Sequence, residues 1–113
     1  MADVEFQIHV HNLLRQRFPP NEGWQILKQP ALSGRGMLEF LVNSPKIAVV
    51  VAANDKEELE TSDVDTILVS AADRRAQRVI IYAAYDTKIP EIVAKHAKGK
   101  GVELIQTQWW QDD

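Results

Sequence analysis

Apolar and polar residues change their spacing in a regular succession along this chain, and each change marks an element. Val4, Ile8 and Val10 with Leu13, Leu14 and Phe18 give a helical apolar stripe. Asp3 can cap that helix, which should run to about Arg17. Pro19-Pro20 stops it, because the residue before a proline is pushed out of the helical region. Asn21-Glu22-Gly23 reads as a turn, and Trp24 to Lys28 alternates as a first strand ended near Pro30. Ser33-Gly34-Arg35-Gly36 is a flexible connection. Met37 to Val42 predicts a second strand, Asn43-Ser44-Pro45 a turn, and Lys46 to Ala53 a third. Ile47 to Ala53 has no polar alternation, which predicts a central strand buried on both faces.

The second half switches between helix and strand. After an acidic segment, Asn54 to Glu60, Ser62 with Asp65 three residues on predicts a capping box. Val64, Ile67, Leu68 and Ala71 form the inner stripe of that helix, expected to end near Gln77. Val79 to Ala83 predicts another buried strand. Pro90 suits the first turn of a third helix carrying Ile89, Ile92, Val93 and Ala97, which Gly99 and Gly101 end. Val102 to Ile105 is the last strand. The order αβββαβαβ is an antiparallel meander followed by crossovers. It predicts an α/β fold with a mixed central sheet flanked by helices. One domain over residues 1–107 and a C-terminal tail over 108–113 are expected.

The hairpin carries a resemblance. Its strands, Met37-Leu38-Glu39-Phe40-Leu41-Val42 and Lys46-Ile47-Ala48-Val49-Val50-Val51-Ala52-Ala53, stand after one helix and before another. This resembles the catalytic hairpin of the PD-(D/E)XK nucleases, the restriction-endonuclease-like superfamily. The stretch from Glu91 to Ile105 also looks like the helix-to-strand ending of restriction-type and Holliday-junction-resolvase-like members. The resemblance implies a restriction-endonuclease-like fold. It also implies where chemistry would sit: an acid near the start of the first hairpin strand, and an acid followed two residues later by a lysine on the second. The acids would hold Mg²⁺ through oxygen ligands, and alternate strand residues share a face.

Here the first acid falls near Gly36 or Met37, and the second acid and the lysine fall on Val50 and Ala52. That strand face carries Ala48, Val50, Ala52 and Asn54, three apolar residues and a neutral amide. The implied function is a nuclease-like scaffold without catalysis, with no metal or cofactor: an interaction or assembly module, associated with nucleic-acid processing. An alternative is a divergent Mg²⁺-dependent endonuclease with relocated ligands. It would use Glu5, Glu39 and Asp55, with Lys56 or Lys46 as the basic group. A third reading is a general regulatory α/β domain.

Composition bears on these readings. The chain has 113 residues, 45% hydrophobic and 26% charged, as expected of one globular domain. It has no cysteine, which excludes disulfides and thiolate chemistry. Asp3 and Glu5 stand where a signal peptide needs basic residues, so a cytoplasmic location is expected. Net charge is -3, so there is no global attraction to DNA, and any nucleic-acid contact needs a local basic face. Arg15, Arg17, Lys28 and Arg35 are candidates for such an edge. Arg74, Arg75 and Arg78, and Lys95, Lys98 and Lys100, cluster where helices end and suit the negative dipole end. The acidic run from Asp55 to Asp65 suits a solvated loop and helix start. His9 and His11, two apart on a helix, point to different faces and cannot chelate one ion together. Ser33 to Gly36 lacks the terminal Gly-Lys-Ser/Thr of a phosphate loop. Trp109-Trp110 would be costly to leave in water, and predicts packing on its own domain or across a homodimer interface, with base stacking behind.

Overall fold

Phe6, Val10, Leu14 and Phe18 recur every four residues, and all are buried on one side of the first helix, α1 (Val4–Arg17). Ile8, expected on that stripe, lies half a turn away and is 56% exposed. These features come from a computed structural model, which describes residues 4–28 and 37–108. Arg35, Gly36, Trp109 and Trp110 lie outside the described residues. A short 3₁₀ turn at Pro20–Glu22 follows α1, closed by Gly23 in the left-handed region at φ 91°.

The sheet has five strands in the order β1-β2-β3-β4-β5. They are β1 (Gln25–Lys28), β2 (Met37–Asn43), β3 (Ala48–Asn54), β4 (Arg78–Ala84) and β5 (Glu103–Thr107). The first three pair antiparallel, and β3, β4 and β5 pair parallel, as the expected meander and crossovers require. The helices α2 (Thr61–Asp73) and α3 (Glu91–Gly99) form the crossovers. β3 is buried along nearly its whole length, with α1 over one face and α2 and α3 over the other. Val49, Val51 and Ala53 join Phe40, Val42, Ile80 and Tyr82 under α1. Val50 and Ala52 join Val64, Ile67 and Ala71 of α2 and Val93 and Ala97 of α3 on the opposite face.

Two boundaries of α2 differ from the sequence expectation. The capping box is built by Glu60 and Asp63, not Ser62 and Asp65. Asp63 accepts the Glu60 N–H at 2.8 Å while Glu60 accepts the Asp63 N–H. The first helical residue is Thr61, so only Glu60 stands where a cap can reach the free amides. The helix then ends at Asp73, four residues short of Gln77. The Ala76 N–H donates to the Ala71 carbonyl at 2.9 Å and the Arg75 N–H to the Ala72 carbonyl at 3.1 Å. That is a Schellman ending with Arg75, at φ 54°, in the left-handed position that glycine normally takes. Without a glycine there is no sequence signal for it. α3 ends in the same way on Gly101, at φ 74°.

Candidate functional site

The hairpin register fixes what surrounds the positions singled out in the sequence. Leu41 pairs with Val50, Glu39 with Ala52 and Met37 with Asn54. Directly opposed residues share a sheet face, so all of these positions lie on the side of α2 and α3. Val50 and Ala52 are sealed there, 0% and 1% exposed. The dryness does not extend along the whole face, however. Glu39, beside Ala52, and Asn54, two residues beyond it, are buried polar groups. Read with Val50 and Ala52, or shifted by two to Ala52 and Asn54, the face of β3 offers neither a carboxylate nor a cation.

Glu39 is held by α2. The Ser70 hydroxyl donates to Glu39 Oε1, and Arg74 Nε donates to the same oxygen at 3.1 Å. Ser70 and Arg74 are four residues apart and so lie on one side of the helix. The sequence signal is a lone acid in an inward strand position, which needs a cationic partner; Arg74 stands at the helix end, as its spacing predicts, and meets Glu39 from there. Two side-chain atoms on this face, Glu39 Oε2 and Asn54 Nδ2, have no hydrogen-bond partner among the described residues. Asn54 Oδ1 accepts the Lys56 N–H at 2.9 Å, turning the chain out of β3.

The remaining candidate ligands do not gather around Glu39. Glu5 is exposed on α1, across the sheet from Glu39, where it borders a shallow depression with Ile8, His9 and Asn12. Asp55 is half-buried just past β3. The Lys56 ammonium donates to both Asp63 oxygens at 3.0 and 2.9 Å, which ties it to the start of α2. Lys46 is exposed in the hairpin turn, at the opposite end of β3 from Asn54. Among the described residues no group of three or more His, Asp or Glu side chains is placed to hold a metal ion.

The expected basic edge is divided. Arg17 forms a two-pronged pair with Glu103 at 2.8 and 2.9 Å, and Arg78 reaches the same carboxylate at 3.3 Å. Arg15 is exposed on the same last turn of α1 but two residues from Arg17 and so on another side of it, and Lys28 lies on β1 at the far edge of the sheet, about 15–20 Å away at ordinary strand spacing. The Arg17 hydrogen bond holds Glu103 below its usual carboxylate range, and Arg78 adds to this. The pair likewise raises Arg17 above its ordinary value. A depressed carboxylate contributes stability above its unfolded value, and that stability is lost as pH falls through the lower folded value. Glu103→Gln should therefore lose less stability than the wild type on acidification from neutrality to below pH 4.5, by roughly 0.5 kcal/mol for so exposed a pair. Urea unfolding across that range measures the difference. His9 donates to or accepts from Thr107 Oγ1 at 2.8 Å, and burial lowers its pKa. His11 is exposed, so the two histidines stay apart as their spacing requires.

No family model and no curated protein matches this chain. Solved structures do. One, of EndoMS in apo form, is 17% identical, with a TM-score of 0.55 over 98% of this chain and 49% of its own. Another, of Pyrococcus furiosus SfsA in complex with Ca²⁺, is 17% identical, with a TM-score of 0.58 over 91% of this chain and 56% of its own. This chain thus spans about half the length of those proteins. Its five-stranded mixed sheet with flanking helices is a restriction-endonuclease-like fold, as the hairpin and element order implied.

Proposed function

We propose that this restriction-endonuclease-like domain is a non-catalytic module, used for interaction or assembly in a setting that handles nucleic acid. The burial of Val50 and Ala52 carries the reading. Those positions are filled by aliphatic side chains packed under α2, which can neither ligate a cation nor activate water. The one acid beside them, Glu39, is engaged by Arg74, whose charge opposes that of a metal ion at the same oxygens. Its partner is a second copy or another protein, and Trp109-Trp110 remains the candidate for self-association.

The rival reading is a divergent Mg²⁺-dependent endonuclease centred on Glu39. The unpartnered Glu39 Oε2 and Asn54 Nδ2 favour it, since such buried atoms call for an explanation. Titration calorimetry with Mg²⁺ and Mn²⁺ separates the two. The module should give no saturable heat. Stoichiometric binding of either ion that Glu39→Ala abolishes would establish the rival.

A further inference from the structure

The parallel strands β3, β4 and β5 all begin at one end of the fold. α2 and α3 run back to that end, and so does α1, because Arg17 reaches Glu103 at the first residue of β5. The three helix ends bring exposed cations together there: Arg15 and Arg17, Arg75 and Arg78, Lys98 and Lys100. Against them stand Glu103, shared by Arg17 and Arg78, with Asp73 and Glu22. The opposite end carries the reverse charge. Asp55, Glu57, Glu58, Glu60, Asp86 and Glu91 surround the exits of β3 and β4, balanced in part by Lys56, Lys88 and Lys95, the last paired with Glu91. Asn54 ends β3 on that acidic side, whereas Glu39 is gripped by Ser70 and Arg74 from the last turn of α2, next to Arg75.

We propose that the basic end of the sheet docks the phosphate backbone of a nucleic acid. The inference rests on the module reading only for its setting; the charge layout is independent of it. Cations at helix ends also complement the helix dipoles, but that interaction falls off within the last turn. Lys100 caps α3 and is served by its dipole, but Arg78 lies beyond the helices, and Arg75 occupies a left-handed position where an L side chain is strained and glycine would be at ease. A charged side chain kept at such a position points to a use for the charge. Among the described residues this surface offers a single large exposed apolar side chain, Val69 beside Asp73 and Arg74, where a protein partner needs a cluster of anchors. The other exposed large apolar residues, Ile8, Leu27, Tyr85 and Ile92, lie on other elements. A phosphate backbone needs only cations spread over a face, and a local field suffices even when net charge is negative.

Fluorescence anisotropy with a short labelled duplex and a single strand, titrated with salt, tests the placement. Wild-type protein should bind at low salt and weaken steeply as salt rises. Arg75→Gly should melt no lower than wild type, since it relieves the left-handed strain, yet bind roughly fivefold more weakly with a shallower salt slope. Lys100→Ala should behave similarly, and Lys88→Glu, at the acidic end, should bind as wild type. No binding at low salt would overturn the proposal. So would wild-type affinity in Arg75→Gly, a loss in Lys88→Glu equal to that in Lys100→Ala, or displacement of the duplex by polyglutamate of matched charge more readily than by unlabelled duplex. Cleavage of the probe by wild-type protein would instead overturn the non-catalytic reading and leave the docking site standing.

Discussion

Arg74→Ala should lower the melting temperature by about 10 °C, a large loss for a change outside the apolar core. Glu39 is 1% exposed, and Arg74 is its only cationic contact among the described residues. Removing the partner of a buried ion leaves a charge that neither water nor protein compensates, at a cost of about 3–5 kcal/mol where the pair is fully enclosed. Arg74 is a third exposed, so water enters when it is truncated, and about 2–3 kcal/mol is the expected loss. For a domain of this size each kcal/mol is worth roughly 4 °C. Replacing both partners with methionine should recover most of the loss, because the cost lies in the unpaired charge more than in the missing pair. Thermal melts followed by circular dichroism give the comparison. An Arg74→Ala protein as stable as wild type would mean that Glu39 is compensated by another group, and the account of the pocket would have to change.

Val50→Glu should prevent stable folding. The position is wholly enclosed between β2, β4 and α2, with Ile67, Ala71 and Ile81 in the same apolar cluster. No cation reaches it among the described residues: Arg74 is taken by Glu39 and Lys56 by Asp63. Placing a carboxylate there without a partner should cost more than about 4 kcal/mol, comparable with the whole stability of many small domains. In an open catalytic cleft the same substitution would cost little. The urea midpoint, or its absence in protein recovered insoluble, measures this directly. A Val50→Glu protein within about 1 kcal/mol of wild type would mean that the face is hydrated, and so better suited to chemistry than its packing indicates.

Local pattern carried the fold a long way. The unbroken apolar run from Ile47 to Ala53 announced a central strand, and β3 is buried on both sides. The alternation of strands and helices after it announced the parallel half of the sheet. What local pattern could not supply was the choice among equivalent faces and partners. Ile8 and Phe6 are both apolar, and only packing against Phe40 and Val51 decides which is inside. Ser is a commoner cap than Glu, so local pattern points to Ser62, although the Glu60 carboxylate does the same work. Glu39 meets Arg74 across 35 positions, and Arg17 meets Glu103 across 86. Such pairs depend on how elements stack, which single-chain periodicity does not encode. The same limit applies to the candidate site. The face of β3 is legible as lacking acids and ending in Asn54, whereas placing Glu39 beside Ala52 on that face requires the strand register.

The central claim is that this scaffold does no nuclease chemistry. It is tested most directly by incubating stoichiometric protein with supercoiled plasmid and with branched DNA, in Mg²⁺ and in Mn²⁺, beside Glu39→Ala. The account predicts intact DNA in every lane. Metal-dependent cutting by the wild type that disappears in Glu39→Ala would contradict it.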